Sequence, residues 1–180
     1  MQIELFSDKY KVHTLTNKNI DEIYNLQSQN VLFYEYCPPF VTRQAIQEDM
    51  RILPPGKVIE DKYYIGFYQD GKLIAIMDLI DGYPEKRIVY IGFFMTDTSV
   101  QNQGIGTEII DYLCRHLCSL GYESVRLAWI KGNPQSEHFW LKNGFTPLME
   151  TTNNAAYEVI LAERRLIREY GNKREISGLD

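Results

Sequence analysis

The chain has 180 residues, of which 44% are hydrophobic and 24% are charged, and its formal net charge is −5 at pH 7. This length and composition are typical of one soluble globular domain, which would bury ~70% of the surface of its unfolded chain. No apolar run approaches the ~20 residues of a membrane span, and an acidic chain lacks the clusters of Lys and Arg that neutralise nucleic-acid phosphates. We therefore expect neither a membrane nor a nucleic acid as the main partner, and an amine or another cationic acceptor suits the charge better.

The cysteines and the first residues indicate a cellular compartment. The three cysteines are an odd number and do not form a disulfide framework, which agrees with a reducing environment. Residues 1–5 have neither the basic nor the long apolar region of a signal peptide, so we expect a cytoplasmic protein. Cys114 and Cys118 lie one helical turn apart but would lack a third and a fourth metal ligand. We interpret them as thiols and expect no metal.

The first part of the chain predicts one strand and two helices around an aromatic segment. Residues 10–15 predict a strand, and the apolar spacing of residues 20–27 predicts a helix. Residues 30–40 are rich in aromatic side chains and contain two consecutive prolines, which favours a loop or a bent segment. Thr42 is a suitable N-cap for a helix over residues 43–51.

The middle of the chain predicts three successive antiparallel strands. Residues 62–68 and 73–79 are apolar and aromatic, and Asp70-Gly71 between them is the strongest hairpin signal in the sequence. A turn around Pro84 then leads into residues 88–95. That run is β-branched and aromatic without polar alternation, which is typical of a strand covered on both faces.

A polar turn and a helix follow this strand directly. Residues 101–106 read Q-N-Q-G-I-G, and apolar residues recur at helical spacing from Thr107 to Leu120. The order of strand, glycine turn and helix directs free backbone N–H groups at an anion, and glycine allows the ligand to approach the backbone closely. From the residues alone, a phosphate site and an ordinary tight turn entering a core helix are both open.

The last part of the chain predicts three more strands and one helix. Residues 124–130 form a strand that should run parallel to residues 88–95 through the usual right-handed crossover. A helix is predicted over residues 134–142, where Pro occupies the first turn and Asn133 is a plausible cap. Residues 145–148 and 156–161 predict the last two strands. From Ala162 onward we expect a tail that begins with a basic, helical segment.

Two motifs, one in the turn and one further along the chain, resemble the two signatures of one superfamily. The turn lacks the Gly-Lys-Ser/Thr of a P-loop and the third glycine of a dinucleotide fingerprint. Gln101, Gly104 and Gly106 instead match the pattern Gln/Arg-x-x-Gly-x-Gly/Ala of the acetyl-coenzyme A site of GNAT acyltransferases. Residues 133–145 read N-P-Q-S-E-H-F-W-L-K-N-G-F, which is similar to the second signature of that superfamily, Asn-x-x-Ala/Ser-x-x-Phe-Tyr-x-Lys-x-Gly-Phe.

The resemblance implies a fold. It predicts a single α+β domain of mixed α/β type over residues 1–180, with a core at about 10–161 and a C-terminal extension at 162–180. Its twisted mixed sheet should contain about six to seven strands flanked by about four helices. Strands 4 and 5, at residues 88–95 and 124–130, should splay apart into a V-shaped slot.

The resemblance also implies how acetyl-coenzyme A binds as a co-substrate. The pantetheine arm would pair with the free edge of strand 4, and the pyrophosphate would lie on the N–H groups of residues 101–107. A backbone N–H of Met95 or Thr96 would polarise the thioester carbonyl. The predicted coenzyme-binding residues are Phe94, Met95, Thr96, Gln101, Asn102, Gln103, Gly104, Ile105, Gly106, Thr107, Asn133, Ser136 and Phe139.

Two positions depart from the pattern of the family. Tyr90 stands where many relatives have a Glu that deprotonates the acceptor, so the base could be Tyr90, another titratable side chain or ordered water. Trp140 stands where many relatives have the Tyr that protonates the leaving thiolate, and an indole N–H is no acid at neutral pH. We place Tyr90 and Trp140 in the catalytic slot without fixed roles. The other base candidates are Glu35, Asp78, Asp81 and His138.

The implied reaction is direct acetyl transfer to an amine of a small molecule or peptide. Phe33, Tyr34, Glu35 and Asp78 are predicted to bind this acceptor, the first three because the region between the first two helices borders the acceptor site in GNAT-like proteins. A homodimer would agree with the family. The alternative from the sequence is an acyl-coenzyme A-binding regulatory or scaffold protein with little or no transferase activity.

Overall fold

The computed structural model describes residues 1–154 and 157–166, which form one mixed sheet with helices on both faces. The seven strands lie in the order β1-β2-β3-β4-β5-β7-β6, and only β4 and β5 pair in parallel. The strands are β1 (Lys11–Thr14), β2 (Lys62–Gln69), β3 (Lys72–Asp81), β4 (Ile88–Thr96), β5 (Ser124–Ile130), β6 (Thr146–Asn154) and β7 (Tyr157–Arg165). The described α-helices are α1 (Ile20–Ser28), α2 (Val31–Tyr36), α3 (Arg43–Asp49), α4 (Ile105–Ser119) and α5 (Pro134–Lys142). The predicted mixed fold class is confirmed.

The β2–β3 hairpin follows from its turn residues. Asp70 and Gly71 both have positive φ angles, of 51° and 80°, as the predicted two-residue turn requires. The turn pairs Gln69 with Lys72, and the strand that follows β3 completes an antiparallel set of three. The sequence therefore predicted this half of the sheet correctly.

Each face of the sheet has its own core. Leu113 and Leu117 of α4 pack on one face together with Phe6 from the N-terminal segment, and all three are fully buried. Ile23 of α1 and Ile46 of α3 pack on the other face. We call the first the α4 face and the second the α1 face.

Strands β4 and β5 separate halfway along their length, at a point that we call the fork. Their pairing begins at Ile88 with Ser124 and ends at Ile91 with Leu127. Beyond the fork β4 continues against β3 alone and β5 against β7 alone. The register of β3 with β4 also shifts here and leaves Gly92 as a bulged residue without a partner. The V-shaped splay between strands 4 and 5 is therefore present.

Three local predictions are wrong. The sequence predicts a short strand over residues 145–148, but β6 (Thr146–Asn154) has nine residues. The sequence predicts a loop or bent segment over residues 30–40, but Val31–Tyr36 forms the short helix α2, which packs on the α1-face core. It also predicts a tail from Ala162, but β7 continues through this residue to its end. The rest of the predicted extension, from residue 167, lies outside the described residues.

The last residues of β7 are charged, which is why the sequence predicts a tail there. In the structure these charged side chains are paired. Glu163 accepts from Arg126 Nε at 2.6 Å. Arg164 Nη2 donates to Asp111 at 2.8 Å. These partners come from β5 and α4, so the charges that suggested a tail belong to the sheet.

Candidate functional site

A structured turn leads from the end of β4 into α4. Asp97 is buried and accepts hydrogen bonds from the Ser99 N–H at 2.8 Å and the Lys72 ammonium at 3.1 Å. Burial by itself would raise the pKa of Asp97, but the hydrogen bonds from Ser99 and Lys72 outweigh it and hold the pKa below its usual range. The carboxylate therefore stays charged and fixes the start of the turn.

Glycine is required where the turn enters α4. Gly104 has a φ of +82° and immediately precedes the helix, and a Cβ there would meet no other atom within 4 Å. The first N–H groups of α4 lack partners inside the helix and carry the positive end of its dipole. The turn thus presents unobstructed backbone N–H groups to an anion.

This turn forms one wall of a cleft of about 360 Å³ between the free end of β4 and helix α5. We call it the splay cleft. Its lining residues are Asn30, Phe33, Phe94, Met95, Thr96, Val100, Gln101, Asn102, Gly104, Ile105, Gly106, Thr107, Gln135, Ser136, His138, Phe139, Trp140 and Lys142.

Beyond the fork, the edge of β4 that faces the cleft pairs with no other described strand. The Asp97 N–H donates to the Ile74 carbonyl of β3 at 2.8 Å. Because backbone groups alternate sides along a strand, the N–H of Met95 also faces β3, whereas those of Phe94 and Thr96 face the cleft. Of the two N–H groups considered for the thioester, only that of Thr96 therefore points to the cleft.

Most of the predicted coenzyme-binding residues meet in the splay cleft, and two lie outside its lining. Gln103 is exposed, and its Nε2 donates to the Ser99 carbonyl at 2.8 Å. Asn133 is buried, and its Oδ1 accepts from the Ser136 N–H at 3.1 Å as the N-cap of α5. Asn133 therefore positions the helix that forms the second wall.

Helix α5 closes the cleft with aromatic side chains. Phe139 and Phe94 stack with their ring centroids 5.9 Å apart, and a Cβ on Gly106 would lie 3.1 Å from the Phe139 ring. Trp140 is buried and contacts Phe139 and Phe145 edge-on, with ring centroids 4.9 and 5.2 Å apart. Trp140 thus shapes an apolar wall of the cleft, and Gly106 lets α4 approach Phe139 of α5 closely.

Several cleft residues were missed from the sequence. Gln135, His138 and Lys142 share one face of α5 with Phe139, and this helical spacing is a signal that could have identified them. His138, a base candidate from the sequence rather than a predicted coenzyme residue, is exposed and lines the cleft. Asn30 gave no sequence signal, because it reaches the cleft only through the packing of α1 against the sheet.

Asn30 connects the α1–α2 junction to the turn. Its Oδ1 accepts from Gln101 Nε2 at 2.7 Å, and its Nδ2 donates to the Thr96 carbonyl at 3.2 Å. Gln101 Nε2 also lies 3.2 Å from that carbonyl. The free edge of β4 is therefore linked by side chains to both the turn and the start of α2.

Fewer of the predicted acceptor residues than of the predicted coenzyme residues line the splay cleft. Phe33 lines the splay cleft and contacts Phe93 edge-on, with ring centroids 5.8 Å apart. Glu35 is exposed on α2. The Tyr34 hydroxyl donates to Gln27 Oε1 at 2.9 Å outside the cleft lining, and burial raises its pKa.

Tyr90 also lies outside the cleft lining. It pairs with Ile80 and Arg126 below the fork, and its ring contacts Tyr83 with centroids 5.6 Å apart. Burial raises the pKa of Tyr90 to about 12, so its hydroxyl stays protonated at neutral pH. This position supports packing rather than proton removal.

Asp78 is a buried carboxylate next to the fork. Its Oδ2 accepts from Lys62 Nζ at 2.6 Å, and the side chains of both residues are largely buried. Burial raises the pKa of Asp78, and the nearby Lys62 ammonium opposes the shift. A Cβ on Gly92 would lie 2.7 Å from Oδ2, so a larger residue there would displace the Asp78 carboxylate.

The described part of the chain carries no cluster suited to a metal and no helix suited to a membrane. Within residues 1–154 and 157–166, no group of three or more His, Cys, Asp or Glu side chains could hold a metal ion. None of the helices in that same part of the chain has the length and apolar character to cross a bilayer. The cysteines at positions 37, 114 and 118 are free, and burial raises the pKa of the Cys114 thiol to about 11.

Comparison with known proteins gives a family match and many similar folds. The sequence model of the acetyltransferase (GNAT) family matches residues 20–145. An acetyltransferase of Thermus thermophilus superposes with a TM-score of 0.68 at 15% identity, covering 88% of this chain and 97% of that one. The ribosomal-protein-S18-alanine N-acetyltransferase of Escherichia coli gives 0.61 at 13% identity, with 91% and 97% covered. The PaiA N-acetyltransferase of Thermoplasma acidophilum, in complex with coenzyme A, gives 0.63 at 14% identity, with 87% and 98% covered. No curated protein matches the sequence significantly.

Proposed function

The chain belongs to the acetyltransferase (GNAT) family, and from this premise we propose that it transfers an acetyl group from acetyl-coenzyme A directly to an amine of a small molecule or peptide. One observation carries the proposal: the free edge of β4 and the glycine turn at the start of α4 line the same cleft. The first can pair with an extended amide chain and the second can hold phosphates. Coenzyme A contains both groups.

The cleft residues fit the two parts of the coenzyme. The N–H groups between Gln101 and Thr107 would hold the pyrophosphate, because no Cβ obstructs the backbone at Gly104. The backbone of Phe94 would pair with the pantetheine arm as an added strand would. The Thermoplasma acidophilum neighbour was crystallised with coenzyme A, and its similar fold supports this assignment.

Two groups of the chain would act on the acetyl thioester. The Thr96 N–H, on the cleft side of β4, would donate to the carbonyl oxygen as negative charge develops on it. Trp140 would shape the slot without donating a proton. The thiol of coenzyme A should titrate near the ~8.5 of a cysteine, so its thiolate can leave and take a proton from water.

The acceptor would approach from the α1 face. Phe33 lines the cleft and packs on the α1-face core, and Tyr34 and Glu35 follow it on α2. A peptide acceptor is compatible with this fold, because the Escherichia coli neighbour of similar fold is named as an N-acetyltransferase for an alanine of a ribosomal protein. A cytoplasmic location and a homodimer stay predictions.

Calorimetric titration tests the coenzyme site first. We expect micromolar binding of acetyl-coenzyme A and free coenzyme A and no binding of NADH, which has a pyrophosphate but no pantetheine arm. Thiol release would then be followed with a panel of primary alkylamines and short peptides with free N-termini. A folded sample that binds neither coenzyme would contradict the proposal.

Trp140, in place of the Tyr of many relatives, favours a second candidate function. The chain would then bind acyl-coenzyme A as a regulatory or scaffold protein without effective transfer. Tight coenzyme binding together with no thiol release against every acceptor in the panel would support this alternative.

A further inference from the structure

We propose that the Asp78 carboxylate binds the acceptor ammonium and removes its proton before attack. This assignment rests on the proposed function and names the proton acceptor that the family pattern lacks at Tyr90. It is carried by three observations: a carboxylate oxygen without a partner, a glycine bulge of β4 beside the same carboxylate, and the positions of the other base candidates away from the fork.

The first observation concerns the two oxygens of Asp78. Oδ2 accepts from Lys62 Nζ at 2.6 Å, but Oδ1 is buried and has no hydrogen-bond donor among the described residues. A buried carboxylate oxygen without a donor is costly, because folding removes its water without replacing it. A ligand ammonium would supply the missing donor.

The second observation concerns the space at the fork. Gly92 follows Ile91, the last residue of β4 that pairs with β5, and it is exposed. Any larger residue would place a Cβ 2.7 Å from the Asp78 carboxylate. That contact is with Oδ2, the oxygen held by Lys62, so the glycine bulge lets the carboxylate lie against the backbone of β4 at the apex of the splay.

The third observation is the position of the other candidates. Glu35 is exposed on α2, and Asp81 is at the far end of β3, where it accepts from the Tyr122 hydroxyl at 2.7 Å. His138 lies on α5 at the coenzyme rim, and the Tyr90 hydroxyl is too weak an acid to be ionised. Asp78 is the carboxylate among these that borders the fork.

The charges around Asp78 suit this role. Lys62 and Tyr64 face it from β2, and the charge of Asp78 raises the pKa of Asp49 at the end of α3, in addition to the larger effect of burial. Two carboxylates and one ammonium leave an excess of negative charge, which favours a cationic acceptor. Burial also makes Asp78 a stronger base than a carboxylate in water.

The proton and electron balance of the step is simple. An N–H bond of the ammonium breaks, and its proton forms an O–H bond with Asp78 Oδ1. The freed nitrogen lone pair forms the C–N bond to the acetyl carbon while the C–S bond breaks and the thiolate leaves. The nitrogen of the new amide loses its second proton to water, the thiolate takes a proton from water, and Asp78 releases its proton to solvent, which restores the site.

The test compares Asp78→Asn with Asp81→Asn, the same substitution on the same strand away from the fork. With n-propylamine as acceptor, Asp78→Asn should lower kcat/KM at pH 7 by at least about 100-fold, the usual contribution of a general base. Its remaining rate should rise about tenfold per pH unit, since only unprotonated amine reacts. Aniline, which is unprotonated at pH 7, should lose far less activity, and Asp81→Asn should resemble the wild type.

A purely structural ion pair would give a different result. Asp78→Asn would then lower the melting temperature but affect propylamine and aniline equally and leave the pH profile unchanged, which would overturn the proposal. If Asp78→Asn does not fold because Lys62 loses its partner, the double variant Lys62→Met/Asp78→Asn provides the same comparison, and Asp78→Glu should recover part of the activity.

Coenzyme binding separates this proposal from the proposed function. Acetyl-coenzyme A affinity should stay within about twofold of the wild type in all of these variants, because Asp78 lies outside the coenzyme cleft lining. A wild-type chain that binds acetyl-coenzyme A but transfers to no amine would overturn the proposed function and this assignment with it. A loss of transfer confined to the Asp78 variants would support the assignment.

Discussion

Single residues of the splay cleft and of the neighbouring fork differ in how far the sequence can define them. Gly104 was predictable, because a turn with a positive φ needs glycine whatever surrounds it, whereas Gly106 lies inside α4, where a Cβ would lie 3.1 Å from the Phe139 ring. The missing partner of Asp78 Oδ1 and the position of Gly92 above that carboxylate depend on a bulge in the β3–β4 register. No local pattern encodes a register shift between distant strands, so these features required the structure.

Gly104→Val tests the anion-binding turn. Valine at a φ of +82° should cost roughly 1–2 kcal/mol of stability, and its side chain would project into the open cleft. We expect acetyl-coenzyme A affinity to fall at least about tenfold, which is about 1.4 kcal/mol, in a calorimetric titration. Gly56→Val is the matched control: Gly56 has a φ of +79° and equally open surroundings, but it lies outside the cleft. Equal coenzyme affinity in the two variants would count against the assignment of the turn.

At the scale of elements, the sequence predicted those whose signals are local. Thr42 and Asn133 cap α3 and α5 as expected, and the Asp-Gly turn forms the β2–β3 hairpin. Helix α2 was missed because its β-branched and aromatic residues have weak helix propensity, and packing on the α1-face core decides its structure. The predicted end of β7 was too early, because the partners of its charged residues lie on β5 and α4 and are distant in sequence.

The cap of α5 should affect both stability and coenzyme binding. Asn133→Ala and Thr42→Ala each remove one N-cap hydrogen bond, of 3.1 and 3.0 Å, and each should cost about 1 kcal/mol, or a melting temperature lower by about 2–4 °C. Only α5 carries Phe139 and Trp140 of the cleft wall. Acetyl-coenzyme A affinity should therefore weaken in Asn133→Ala and stay unchanged in Thr42→Ala. A parallel loss of affinity in both variants would indicate general destabilisation instead.

At the scale of the whole molecule, ionisable groups make stability depend on pH. Burial lowers the pKa of His116, which packs edge-on against Phe6 with ring centroids 5.7 Å apart. Burial would raise the pKa of Glu163, but its hydrogen bond from Arg126 outweighs this and lowers it, and Asp97 behaves in the same way. The pKa of Asp78 shifts in the opposite direction, because burial raises it in the folded state.

These directions predict a two-stage loss of stability on acidification. His116 stabilises the fold fully above its unfolded pKa of ~6.5, and this contribution is lost as the pH falls through its lowered folded pKa, since the unfolded chain binds the proton first. The contributions of Asp97 and Glu163 are present above their unfolded pKa values of ~4 and are lost as the pH falls below them, while protonation of Asp78 offsets part of this loss. Urea unfolding at a series of pH values should show that His116→Gln removes the decline below pH ~6.5, whereas His13→Gln, at an exposed position on β1, keeps it. A decline that persists in His116→Gln would assign it to other groups.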